Sequence, residues 1–111
     1  MQTTSWKFEC NVNTEDQTYD DAFGTVEVAG DRIEFNGEFT VKKADIIDYF
    51  EESTDSEGAE YFADDLLTVS DLPENIQADI LQYNLTIHDE INIIEQKVIR
   101  DEVYVKFDIY E

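Results

Sequence analysis

Val103-Tyr104-Val105-Lys106-Phe107-Asp108-Ile109-Tyr110 alternates apolar and polar residues without a break. A period of two separates the side chains of a strand onto its two faces, so Val103, Val105, Phe107 and Ile109 face a core and the remainder face water. The chain therefore ends in a half-buried strand. The same pattern stands at its start, where Trp6, Phe8, Cys10 and Val12 alternate with Lys7, Glu9, Asn11 and Asn13. Upstream of the last strand, Leu85 and Ile87 alternate with polar neighbours, and Ile91 to Ile99 is rich in β-branched residues.

Early in the chain, Thr14 to Asp21 reads as a polar loop. Two turn signals follow: Gly30-Asp31 between Gly24–Ala29 and Arg32–Phe35, and Asn36-Gly37 between Phe35 and Glu38–Val41. Both dipeptides favour tight hairpins, so the spacing predicts a short antiparallel meander.

The middle changes period. In Ala44 to Glu52 the apolar Ile46, Ile47 and Phe50 share one arc at 100° per residue, with acids on the opposite arc. Glu57 to Leu67 repeats the arrangement, with Ala59, Phe62, Ala63 and Leu66 inward. Asp71-Leu72-Pro73-Glu74 carries the marks of a helix start and predicts a third helix to about Gln82, burying Ile76, Ile80 and Tyr83. Strands, then helices, then strands indicate an α+β domain. Its mainly antiparallel sheet is built from N- and C-terminal strands, with a central acidic helical segment packed on one face. At 111 residues this is a single domain, residues 1–111.

Charge limits what such a domain can meet. The sequence holds 28 Asp and Glu against seven Lys and Arg, a net −21. From Ala44 to Gln96 there are fifteen acids and no base, and residues 1–43, 44–96 and 97–111 carry −5, −15 and −1. All seven bases (Lys7, Arg32, Lys42, Lys43, Lys97, Arg100, Lys106) fall in the predicted β parts or at their edge. Like charge repels, so direct nucleic-acid binding and anionic membranes are excluded and a basic partner is expected. With 41% hydrophobic and 13% aromatic residues the chain is far from the composition of a disordered acidic tail.

The acids are spaced as well as numerous. Successive turns of an α-helix rise about 5.4 Å, so acids at i, i+3 or i+4 and i+7 form a line comparable with phosphates along one strand. Asp45, Asp48, Glu52 and Asp55 make one such line, and Glu57, Glu60 and Asp64 another; Glu51 and Asp65 flank them. Like charges at this spacing destabilise an isolated helix, and no Lys intervenes. A face serving solubility alone usually mixes signs.

In size and charge the whole chain resembles the phage-encoded DNA-mimic inhibitors, small and very acidic proteins that occupy nucleic-acid sites of restriction, CRISPR, repair or transcription proteins. The likeness is compositional and rests on no shared motif. It implies an inhibitor from a phage or mobile element that blocks the basic nucleic-acid-binding site of a nuclease or host defence complex. An immunity protein neutralising a nuclease toxin needs the same surface. An acidic structural or cation-binding domain without a specific basic partner is the alternative from another class.

Other chemistry has less support. Ser53, Asp55, Glu57, Gly58, Ala59, Tyr61 and Asp64 match positions 1, 3, 5, 6, 7, 9 and 12 of a calcium loop, but Ser stands at position 1 and the shorter Asp at 12. No metal site or cofactor is expected. His88 is the sole histidine, nothing places Cys10 or a serine beside it, and P-loop, dinucleotide and HExxH patterns are missing, so the chain is not expected to be an enzyme. Cys10, the only cysteine, lies on the apolar face and excludes an internal disulfide. Met1 to Trp6 has neither a basic start nor an apolar run, which suggests a cytoplasmic protein without a signal peptide. Tyr104 and Tyr110 share the outer face of the last strand with Lys106, Tyr49 and Tyr61 flank the acidic faces, and an exposed last strand could pair with its copy in a homodimer.

Overall fold

The structure, a computed structural model, describes residues 2–13, 17–21, 24–28 and 32–110. In chain order the elements are β1 (Thr3–Asn13), β2 (Gln17–Asp21), β3 (Gly24–Val28), β4 (Arg32–Lys42), a 3-10 segment (Lys43–Tyr49), α1 (Asp55–Asp64), a 3-10 turn (Val69–Asp71), α2 (Glu74–Ile80), a second 3-10 turn (Leu81–Tyr83), β5 (Asn92–Ile99) and β6 (Glu102–Tyr110). A four-stranded antiparallel sheet has the order β1-β4-β6-β5, while β2 and β3 form a separate two-stranded ladder. The expected α+β architecture is present, with the helical middle between N- and C-terminal strands.

Alternation fixes which face is buried. Phe35, Phe39 and Val41 of β4 and Val103, Val105, Phe107 and Ile109 of β6 are fully buried, and they share one core with Phe62 of α1 and Ile76 and Ile80 of α2. On β1, Trp6 stacks on Phe8 at 5.2 Å and Phe8 on Phe35 at 5.2 Å, which carries an aromatic layer from the edge strand into the core. Such contacts add about 0.5–1.5 kcal/mol each beyond the area they bury.

The strand assignments differ from expectation in several places. Asn36-Gly37 is no turn, because both residues lie inside the eleven-residue β4, paired with β1 on one side and β6 on the other. A Cβ on Gly37 would stand 2.8 Å from Phe107 Cζ and from two atoms of the Trp6 ring. Glycine is there so that two aromatic rings can lie on the backbone. The one tight hairpin turn of the large sheet is instead Arg100-Asp101, between Ile99 and Glu102, with Arg100 at φ 59°. The predicted loop at 14–21 contains β2, which pairs with β3, so a nested hairpin replaces the sequential meander. Gly30-Asp31 lies outside the described residues.

Two further corrections concern the last third. Leu85 and Ile87 form no strand; Leu85 is buried, Ile87 is exposed, and the chain here turns before an isolated bridge between Thr68 and Glu90. The last strand is not an edge: β6 is bonded to β4 and β5 and has no free side for a second chain.

Candidate acidic surface

The acids sit on two unlike pieces of backbone. The predicted helix at 44–52 is a 3-10 segment, broken at Ile46 by non-helical angles (φ −130°, ψ 32°). Ile46 and Phe50 reach the core, but the kink leaves Ile47 47% exposed, against the single apolar arc expected. Residues 50–54 are then non-helical. The line Asp45, Asp48, Glu52, Asp55 required one continuous α-helix, so its regular spacing does not form, although all four side chains are exposed.

The second line does form. Helix α1 begins at Thr54, whose Oγ1 accepts the Glu57 amide at 3.3 Å, a cap that the sequence reading missed. Gly58, Ala59, Phe62 and Ala63 face inward, while Asp55, Glu57, Glu60 and Asp64 are exposed. Glu57, Glu60 and Asp64 therefore occupy i, i+3 and i+7 of one α-helix. Gly58 is held by packing: a Cβ there would collide with the Phe50 ring. The calcium-loop spacing is consequently not a loop, since ten of its twelve positions are α-helix. Backbone carbonyls engaged in helix bonds cannot turn inward to ligate.

Helix electrostatics divide the acids further. Asp55 and Glu57 lie in the first turn of α1, where the macrodipole favours negative charge. Asp64 and the C-cap Asp65 stand at the opposite end, where the dipole disfavours it, and no base occupies the last turn. Asp65 is partly compensated by a hydrogen bond of 2.7 Å from the Tyr49 hydroxyl. That bond, with burial and the nearby charges of Asp65, Asp48 and Asp71, pushes the Tyr49 phenol up to about 12. Tyr49 also packs edge-on against Phe62 at 5.5 Å, so it is a rim contact, whereas Tyr61 is 53% exposed. Asp71 does not start α2; its Oδ2 accepts the Leu67 and Thr68 amides, each at 3.0 Å, and closes the preceding 3-10 turn.

Few acids are neutralised. Two ion pairs occur among the described residues, Lys43 with Asp55 at 2.6 Å and Lys97 with Glu95 at 3.3 Å. Glu51, Glu52, Glu57, Glu60 and Asp64 are exposed and have no ion-pair partner among the described residues. All nine candidate acids are at the surface; α1 and its C-cap carry Asp55, Glu57, Glu60, Asp64 and Asp65, while Asp45, Asp48, Glu51 and Glu52 lie on the kinked segment and the bend after it, outside that helix.

The other face of the sheet is electrically different. Strand register sets Lys7 beside Glu38, Glu38 beside Lys106 and Lys106 beside Glu95, an alternating row across all four strands. Tyr104 lies beside Thr40 and Lys97, donates its hydroxyl to Glu38, and has its phenol pushed up to about 12 by that bond, by burial and by the Glu38 and Glu95 charges. A cavity of about 520 Å³ opens on this face between Lys7, Glu9, Asn36, Glu38 and Lys106. Asp108, flanked by Asn36 and Asn92, is only 9% exposed, and its Oδ1 has no hydrogen-bond partner among the described residues.

His88 is exposed in the loop before β5, and Cys10 lies half-buried on β1 with its thiol pushed up by burial. Among the described residues no group of three or more His, Cys, Asp and Glu is arranged to hold a metal ion, and no helix is long and apolar enough to cross a membrane. Comparisons with protein-family models, with curated proteins and with solved structures found no match.

Proposed function

We propose that this chain is an acidic inhibitor, acting in the cytoplasm, whose carboxylate surface occupies the basic nucleic-acid-binding groove of a nuclease or defence complex. The observation that carries the reading is the row Glu57, Glu60, Asp64 on α1, exposed, without a base among them, and ending in acids that the helix dipole disfavours. Acids placed against helix stability are better explained by a contact than by solubility. Asp45, Asp48, Glu51, Glu52, Asp55 and Asp65 would widen the contact, with Asp55 released from Lys43 or shared with it.

Inhibition would be competitive, by occupation of the groove and by charge. Opposed potentials speed association and make it salt-sensitive. An origin in a phage or mobile element and an anti-restriction or anti-CRISPR role belong to the same proposal. A lysate of candidate bacterial hosts passed over the immobilised protein at about 0.15 M salt tests it. A single nuclease or defence complex, displaced by competing duplex DNA and lost when Glu57, Glu60 and Asp64 are changed to Lys, supports the reading. A salt-labile mixture of abundant basic proteins overturns it in favour of a merely solvated acidic surface. A retained nuclease toxin encoded beside this chain identifies an immunity protein.

A further inference from the structure

The large sheet has β1 at one edge, and no strand among the described residues covers its outer side. Its register with β4 is regular from Ser5 onward, with an irregularity only between Thr3 and Ser5. A regular, uncovered edge is a template for a further strand unless something blunts it. Trp6, Phe8 and Cys10 on its apolar face are only half-buried, and Val12 is 51% exposed. Among the described residues β1 itself sets no charged side chain on this face.

What β1 complements best is itself. An antiparallel pair of β1 strands related by a two-fold axis must keep both apolar faces on one side, so the axis passes through a residue facing its own copy. With the axis at Lys7 or at Glu9, two like charges stand directly opposite, which is unfavourable. With the axis at Phe8, Lys7 stands opposite Glu9 of the second copy and Glu9 opposite its Lys7. The same register sets Phe8 against Phe8, Trp6 against Cys10 and Ser5 against Asn11, and so uses only the regular part of the strand.

We propose that this protein forms a two-fold dimer through antiparallel β1–β1 pairing centred on Phe8, which joins two four-stranded sheets into one of eight. The alternating row Glu95, Lys106, Glu38, Lys7 then continues without interruption into Glu9 of the second copy. The aromatic layer Trp6–Phe8–Phe35 continues in the same way on the other face. At this edge the charges balance in each chain, Lys7 against Glu9, so two molecules that are each strongly negative can meet there. The inference is independent of the acidic surface on α1.

Sedimentation velocity on the purified full chain tests it, with hydrogen exchange to locate the contact. The wild type is expected to dimerise with rising concentration, and amide protection gained on dimerisation should be confined to Ser5–Asn11. Glu9→Lys keeps the Lys7–Glu38 neighbourhood intact and should weaken the dimer about tenfold or more by placing Lys opposite Lys. Lys7→Glu should do the same, and the double variant Lys7→Glu/Glu9→Lys should return to within about threefold of wild type. Circular dichroism of each variant separates loss of pairing from loss of fold. A wild type that stays monomeric up to millimolar concentration, a dimer indifferent to Glu9→Lys, or protection gained elsewhere overturns the proposal.

Discussion

The indole Nε1 of Trp6 donates a hydrogen bond of 2.7 Å to Asp79 Oδ2, which ties the edge strand β1 to helix α2 across the aromatic layer. Trp6 also stacks on Phe107 at 6.0 Å with its ring nearly parallel. The bond therefore orients the ring that covers Gly37. Asp79→Ala is expected to lower the unfolding free energy by about 1–3 kcal/mol, because the half-buried indole N–H loses its acceptor. Asp79→Asn, which keeps an acceptor oxygen, should lose less. Trp6 is the only tryptophan, so urea unfolding followed by its fluorescence measures both variants.

Two glycines carry rings on their backbone, and alanine at either position should cost about 1–3 kcal/mol through overpacking. At Gly58 the penalty acts against the gain of up to about 1 kcal/mol that alanine normally brings to a helix. Gly58→Ala combined with Phe50→Leu should recover part of the loss, since an added Cβ would run into the Phe50 ring. Thermal melts of the two single variants and the double variant check this. A Gly58→Ala protein more stable than wild type would mean that Phe50 does not sit on the helix.

Asp64 opposes the dipole of α1, so Asp64→Lys should raise stability by about 0.3–1 kcal/mol. The same change should weaken binding to a basic partner. Opposite signs in denaturation and in binding would separate a contact residue from a structural one. A variant that gains stability and loses no affinity places the contact elsewhere.

Arg100 adopts φ 59° in the Arg100-Asp101 turn, a conformation that costs a non-glycine residue about 1–2 kcal/mol. Arg100→Gly should recover part of that cost, reduced by the greater freedom of glycine in the unfolded chain. Chemical denaturation should show a higher midpoint at unchanged slope.

Tyr49 and Tyr104 each donate a hydroxyl hydrogen bond to a carboxylate, and both phenols are pushed up to about 12 from an ordinary 10.0. In each case the neutral form is the one the fold stabilises. Their contribution is therefore complete below pH 10 and is lost as pH rises through about 12. Alkaline unfolding should begin in that window, and phenolate absorbance should show Tyr49 and Tyr104 titrating late. Tyr49→Phe should flatten its share of the dependence.

Much of the architecture was legible because alternation survives packing. β6 and β5 fall where Val103–Tyr110 and Ile91–Ile99 put them, and Ala59, Phe62 and Ala63 of α1 face inward at helical spacing, while Leu66, expected on the same helix, is buried beyond its C-cap. Turn chemistry misled where tertiary contact outweighed it. Asn36-Gly37 is the strongest hairpin signal in the chain and lies mid-strand, since Gly37 answers to Trp6 and Phe107 and not to a turn. The true turn, Arg100-Asp101, carries no glycine and is imposed by the pairing of β5 with β6. Of the candidate site, spacing located the α1 row, but not the kink at Ile46 and the non-helical residues 50–54, which deny Asp45, Asp48, Glu52 and Asp55 a single helix.

By itself the sequence determined the class of fold and the sign of the surface, because periodicity selects the buried face and net charge needs no coordinates. Tertiary structure alone decided which strands are edges. β6, last in the chain, is central, and β1 is left at one edge of the sheet, because pairing order depends on which apolar faces close over one core and leaves no mark in local sequence. It also decided which acids stand in line, since a regular row of carboxylates requires an unbroken helix, and of the two segments where the acids are so spaced α1 is unbroken while Lys43–Tyr49 is not.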